Sequence, residues 1–187
     1  MLSRRAFRLF FIAIAIVVIG VSHDQAAHAG RCPQGTIALK AGNALIAAAR
    51  AGSPARFAAA FNRYADMPYI ARFGLGRHRR ALRPSRRAAF TRSVTILISR
   101  TFNQYRLKFR ANSIDFVDCR GTKVYTRMFF LGGRGYKPVI WRFRGNRIID
   151  VNVQSLWLGQ LLRDFINGKM KKHNGDIEAV MREMRRR

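Results

Sequence analysis

The sequence predicts an α+β domain, an antiparallel sheet of about four strands packed against N-terminal and C-terminal helices. Three observations lead there. Residues 36–105 carry apolar side chains at helical spacing, residues 106–153 alternate apolar and polar between glycine-bearing turns, and the helical period returns from Ser155. Strands joined by short turns form a meander with one covered face, and helices placed before and after them segregate to that face.

Residues 1–29 read as an export signal. Arg4, Arg5 and Arg8 give a positive start, Leu9 to Val21 is unbroken apolar sequence, and Ala27-His28-Ala29 has the form of a cleavage site. A bilayer-spanning helix needs about 20 apolar residues, so this run is short for an anchor. Ser3-Arg4-Arg5-Ala6-Phe7 also suits the twin-arginine route. Cys32 is not a lipidation site, because Arg31 stands where a small residue must precede the cysteine. Residues 30–187 have the length of a single domain and contain no repeat or linker.

The helical half comes first. Thr36 to Ala49 is alanine-rich, with Ile37, Leu45 and Ile46 apolar. Ser53-Pro54 supplies a cap and a first-turn proline ahead of Phe57, Phe61 and Tyr64. Asp66-Met67-Pro68 opens a shorter helix ending near Gly74 and Gly76. After Pro84, Ser85 is the expected cap of a long helix reaching about Tyr105, with Phe90, Val94, Leu97, Ile98, Thr101, Phe102 and Tyr105 as its stripe.

The sheet half follows. Leu107 and Phe109 alternate with Arg106, Lys108 and Arg110; Val124, Met128 and Phe130 alternate with Tyr125 and Arg127. Gly132-Gly133-Arg134-Gly135 turns the chain into a strand from Tyr136 in which Val139, Trp141 and Phe143 share a face. Gly145-Asn146 tolerates the positive φ of a tight hairpin, and Ile148, Ile149, Val151 and Val153 return with Asp150 among them. Leu158, Leu161, Leu162, Phe165 and Ile166 then fall on one helical face, and a last short helix follows Asn174-Gly175.

Charge narrows the partners. Lys+Arg number 36 against 9 Asp+Glu, a formal net charge of +27, and the signal removes only three basic residues and one acidic. Such an excess favours a polyanion, and export favours an anionic membrane surface over nucleic acid. The densest cluster, RHRRALRPSRR, places Arg77, Arg79, Arg80, Arg83, Arg86 and Arg87 on a loop and a helix start. These could meet lipid head groups, each contributing about 1 kcal/mol near an anionic leaflet, or form a solvated basic loop. Cys32 and Cys119 permit one disulfide in an exported chain, worth roughly 4–5 kcal/mol for so long a loop, with two free thiols as the alternative.

The sequence offers little for catalysis. His78 and His173 lie apart, and HExxH, GxSxG and GxxxxGK[ST] are all missing. Asp115 and Asp118 sit in what reads as strand-end polar sequence and do not pair for acid–base work. His, Cys and carboxylates are too scattered for a metal. No catalytic residue, metal or cofactor is expected. Asp150 reads as a buried ion-pair anchor for a nearby arginine.

The run IIDVNVQSLWL, then LLRDF, then HNGDIEAVM resembles the C-terminal signature of the MlaC-type periplasmic phospholipid-binding proteins, also known as toluene-tolerance auxiliary components, with hopanoid-associated relatives. Asp150-Val151, Ser155-Leu156, Arg163 with Phe165, and Gly175-Asp176-Ile177 carry the match. DMPYIARFGLG resembles the segment before that family's long helix. The usual glycine before the Ser/apolar pair is missing, and Asn146-Arg147 stand where a Trp often precedes the Asp. The resemblance implies a pocket between sheet and helices that holds phospholipid acyl chains with the head group at its mouth. It also implies two partners, an inner-membrane MCE-type ABC transporter and an outer-membrane lipoprotein complex. On the alternation and the facing helix, the expected wall is Val124, Met128, Phe130, Val139, Trp141 and Phe143, with Phe73, Leu97, Phe102 and Val151 beside it. The alternatives are a basic envelope protein without lipid cargo and a hopanoid-linked carrier.

Overall fold

Helix starts are set locally. The computed structural model describes residues 32–133 and 135–186, so the expected export signal lies outside the described residues. The order is α1 (Pro33–Arg50), α2 (Pro54–Tyr64), α3 (Met67–Leu75), two short 3-10 turns (Gly76–Ala81 and Pro84–Arg86) and α4 (Arg87–Phe109). Five strands follow: β1 (Ala111–Arg120), β2 (Lys123–Phe130), β3 (Tyr136–Arg144), β4 (Arg147–Val153) and β5 (Leu156–Trp157). The helices α5 (Leu158–Lys172) and α6 (Ile177–Arg186) close the chain. Ser53 and Asp66 cap α2 and α3 by accepting the N–H groups of Arg56 (3.3 Å) and Tyr69 (2.9 Å).

Two helix boundaries differ from expectation. Ser85 caps nothing, because a 3-10 turn precedes α4 and no side chain caps it. The helix then runs through residues 106–109 of the segment that alternation marks as a strand. A five-residue alternation is too short to separate the end of a helix from a strand, and Leu107 remains 70% exposed. The helix stops where Arg110 takes a φ of 29°.

The sheet is antiparallel with strand order β1-β2-β3-β4-β5; β1 at 111–120 takes the place of the strand expected at 106–110, and there is one strand more besides. The addition is the two-residue β5. Gln154 (φ 51°) and Ser155 (φ 66°) form a tight left-handed turn, so Val153 pairs with Leu156 before α5 begins at Leu158. Asp115 and Asp118 belong to β1 itself rather than to a strand end.

Helix α1 lies directly on β1. A Cβ at Gly42 would stand 2.6 Å from the Ile114 side chain, and one at Gly35 would stand 2.7 Å from the Phe116 ring. Small residues on α1 therefore permit a close helix–sheet approach. A Cys32–Cys119 disulfide pins the start of α1 to the end of β1, with a Cα–Cα distance of 6.5 Å across 87 residues of sequence.

Asp150 is not an ion-pair anchor. It accepts the N–H groups of Val151 and Gly159, both at 2.9 Å, with Arg142 acting only as a nearby charge. Burial raises its pKa and the two N–H groups oppose that rise. Asp150 thus ties β4 to the start of α5. The C-terminal helix is held by carboxylates. Glu183 accepts from Lys169 (2.5 Å) and pairs with His173 (2.8 Å), and Glu178 takes both arms of Arg86 (2.6 and 2.5 Å).

Candidate binding site

The strand register defines the covered face of the sheet. It carries Ala111, Ile114, Phe116 and Cys119 from β1; Val124, Thr126, Met128 and Phe130 from β2; Lys137, Val139, Trp141 and Phe143 from β3; and Ile148, Val151 and Val153 from β4. Burial along this face is graded. At the end formed by the β1–β2 and β3–β4 turns, Val124, Trp141, Phe143 and Ile148 are fully buried in the core. At the opposite end Ala111, Met128, Phe130 and Val153 are only half-buried, while Ile114, cross-strand from Met128, stays buried.

The closed end also satisfies its polar groups. The Trp141 indole N–H donates to Thr126 Oγ1 at 2.9 Å, and the Thr126 hydroxyl donates to the Val139 carbonyl at 3.2 Å. A buried indole needs such a partner. Thr126 is a polar residue in phase with the apolar ones, and sequence reasoning passed over it.

The open end is rich in exposed apolar side chains. Leu107 closes α4 before β1, Leu131 follows β2, Tyr136 starts β3, and Leu156 follows the β4 turn; all four are exposed. On the helical side Leu97 is buried while Ile98 and Phe102 are half-buried. The Phe102 ring packs against Phe57 (5.8 Å between centroids) and edge-on to Phe61 (5.4 Å).

The expected wall residues therefore divide. Met128, Phe130 and Val151 are half-buried on the covered face, whereas Val124, Val139, Trp141, Phe143 and Leu97 are integral to the core. Phe73 lies away from this face, in the seam between α3 and α5. There the Arg163 guanidinium stacks 3.9 Å from its ring, and Arg163 donates to its carbonyl.

The basic cluster is mostly solvent-facing. Arg77, Arg79 and Arg80 are exposed on the first 3-10 turn, Arg83 between the two turns, and Arg87 at the first residue of α4. Arg77 and His78 line a cleft of about 470 Å³ with Asn167, Met170 and Lys171. Arg86 differs, since its guanidinium is bound to Glu178 and that carboxyl is held below its ordinary pKa by the hydrogen bond. Among the described residues no group of three or more His, Cys, Asp or Glu could hold a metal, and no helix is long and apolar enough to cross a membrane.

The family model of the MlaC protein matches residues 36–186, nearly all of the described chain. The chain belongs to the MlaC family. One solved structure of similar fold is the phospholipid-binding protein from Ralstonia solanacearum in complex with a phospholipid. It has a TM-score of 0.64 at 14% identity, covering 80% of this chain and 93% of that one. No match was found among curated proteins. Within this MlaC fold, the family's strand-to-helix corner is built here by Gln154 and Ser155 in left-handed conformation, at the point where the usual glycine is missing. Lys137, the charged side chain on the covered face, was also passed over, although its phase with Val139 and Trp141 is legible in the sequence.

Proposed function

We propose that this MlaC-family chain is a periplasmic phospholipid carrier that shuttles lipid between the inner and outer membranes as the soluble component of an Mla-like ABC system. The observation that carries this reading is the graded covered face. Its core is closed at one end, and its apolar rows emerge half-buried at the other. The phospholipid bound by the Ralstonia solanacearum protein of the same fold supports the choice of cargo.

The physics of transfer requires such a surface. A two-chain lipid crossing water exposes roughly 30 methylenes at about 0.8 kcal/mol each, a gross cost above ~20 kcal/mol. A carrier must cover those chains about as well as the bilayer does and no better, or the cargo is never released. A largely apolar site with few polar groups meets that condition. The exposed arginines at positions 77–87 would bring the loaded protein to an anionic leaflet. An inner-membrane MCE-type transporter and an outer-membrane lipoprotein complex are the two partners between which this role places the chain.

Mass spectrometry of organic extracts from the purified mature protein tests the proposal. Co-purifying glycerophospholipid is the expected result. A folded protein that carries no lipid and takes none from vesicles overturns it, leaving a basic envelope protein, and a pentacyclic lipid would redirect it to hopanoid transport.

A further inference from the structure

On the covered face of the four long strands one side chain is charged. Lys137 occupies the outer rung of that face, cross-strand from Met128 and in phase with Val139, Trp141 and Phe143. It is half-buried, and its ammonium lies 5.4 Å from the Phe130 ring centroid. The described carboxylates are committed elsewhere. Asp66, Asp118, Asp176, Glu178 and Glu183 pair with Arg144, Arg120, Arg182, Arg86 and Lys169. Asp164 accepts from Gln160, Asp150 accepts backbone N–H groups, and Asp115 lies on the other face opposite Arg127.

Lys137 is half-buried as a residue, and an ammonium held beside apolar side chains favours an anionic partner. Inward from Lys137 the face is apolar apart from the internally bonded Thr126.

We infer that Lys137 binds the phosphate of the carried glycerophospholipid, fixing the head group at the open end while the acyl chains lie against the half-buried Met128, Phe130 and Val153. The assignment rests on the carrier reading above and adds the group that distinguishes a phosphate-bearing lipid from a neutral one. The stem of Lys137 covers apolar surface while its ammonium reaches the mouth.

The test compares wild type with Lys137→Met, which keeps the apolar stem, and Lys137→Arg, which restores the charge. Each delipidated protein is titrated with phosphatidylglycerol vesicles and with diacylglycerol of the same chains in neutral vesicles. Lys137→Met should weaken phosphatidylglycerol binding about tenfold or more, the scale of one hydrogen bond to a charged group. It should leave diacylglycerol binding unchanged, and Lys137→Arg should bind phosphatidylglycerol within about threefold of wild type. Undiminished phosphatidylglycerol binding by Lys137→Met overturns the assignment while the carrier reading stands. So does an equal loss of both lipids, which would mean that Lys137 only packs. Failure of the wild-type protein to bind either lipid overturns the carrier reading and this assignment with it.

Discussion

Tryptophan placed at two rungs of the same sheet face should separate cargo binding from core packing. Val139 is 1% exposed within the core, whereas Met128, one rung nearer the open end, is half-buried. Val139→Trp must displace packed neighbours, which typically costs about 1–3 kcal/mol. For a domain of this size each kcal/mol lowers the melting temperature by about 2–4 °C, so the expected fall is about 2–12 °C. Met128→Trp can lay its ring along the strip that the acyl chains would cover. Displacing even three methylenes forfeits about 2–3 kcal/mol of cargo affinity, roughly fiftyfold in retention. The assay is lipid phosphorus per protein after purification, measured beside the melting temperature. Met128→Trp should lose most of its lipid with a melting temperature within about 2 °C of wild type. Wild-type lipid content in Met128→Trp would refute the reasoning. A fall in stability as large as that of Val139→Trp would refute it too, since Met128 would then be ordinary core.

Removing the Cys32–Cys119 bridge by the double serine substitution should cost about 2–5 kcal/mol, read as a lower urea midpoint, and wild-type midpoints would show that the bridge contributes nothing. Glu183 has its pKa lowered to about 2 by the hydrogen bonds from Lys169 and His173, against an ordinary 4.5. Its depressed value means that the stabilisation is fully present above about pH 4.5 and is lost as pH falls toward 2. Glu183→Gln should therefore lower the melting temperature at pH 7 and change it far less near pH 2. An equal loss at both pH values would rule out the ionic contribution. Replacing Gln154-Ser155 with Asn-Gly relieves two left-handed non-glycine positions and should raise the melting temperature by about 2–4 °C, with a decrease counting against a strained turn.

Features that depend on a few consecutive residues were legible in the sequence. Ser53 and Asp66 cap the helices they were read to start, because a cap hydrogen-bonds to an N–H only three residues away. The period-two pattern of 136–153 identified β3 and β4 and the apolar phase of Val139, Trp141 and Phe143. The C-terminal motif run carried the family resemblance, and the match over 36–186 agrees with it.

Other features were decided only by the tertiary structure. Leu107 and Phe109 alternate as a strand would, yet they end α4, because five residues of local pattern cannot outweigh a helix propagating from 87. The bulges between Ala111 and Ser113, Phe116 and Asp118, and Arg142 and Phe143 set which side chains align across strands, and such offsets depend on the partner strand. Asp150 found backbone N–H groups instead of an arginine because the corner at Gln154-Ser155 brings Gly159 to it. The sequence alone specified that one sheet face is apolar. The phase of Lys137 with Val139 and Trp141 was legible too, but which end of that face the helices leave open follows from where each helix comes to rest, and no local pattern encodes that.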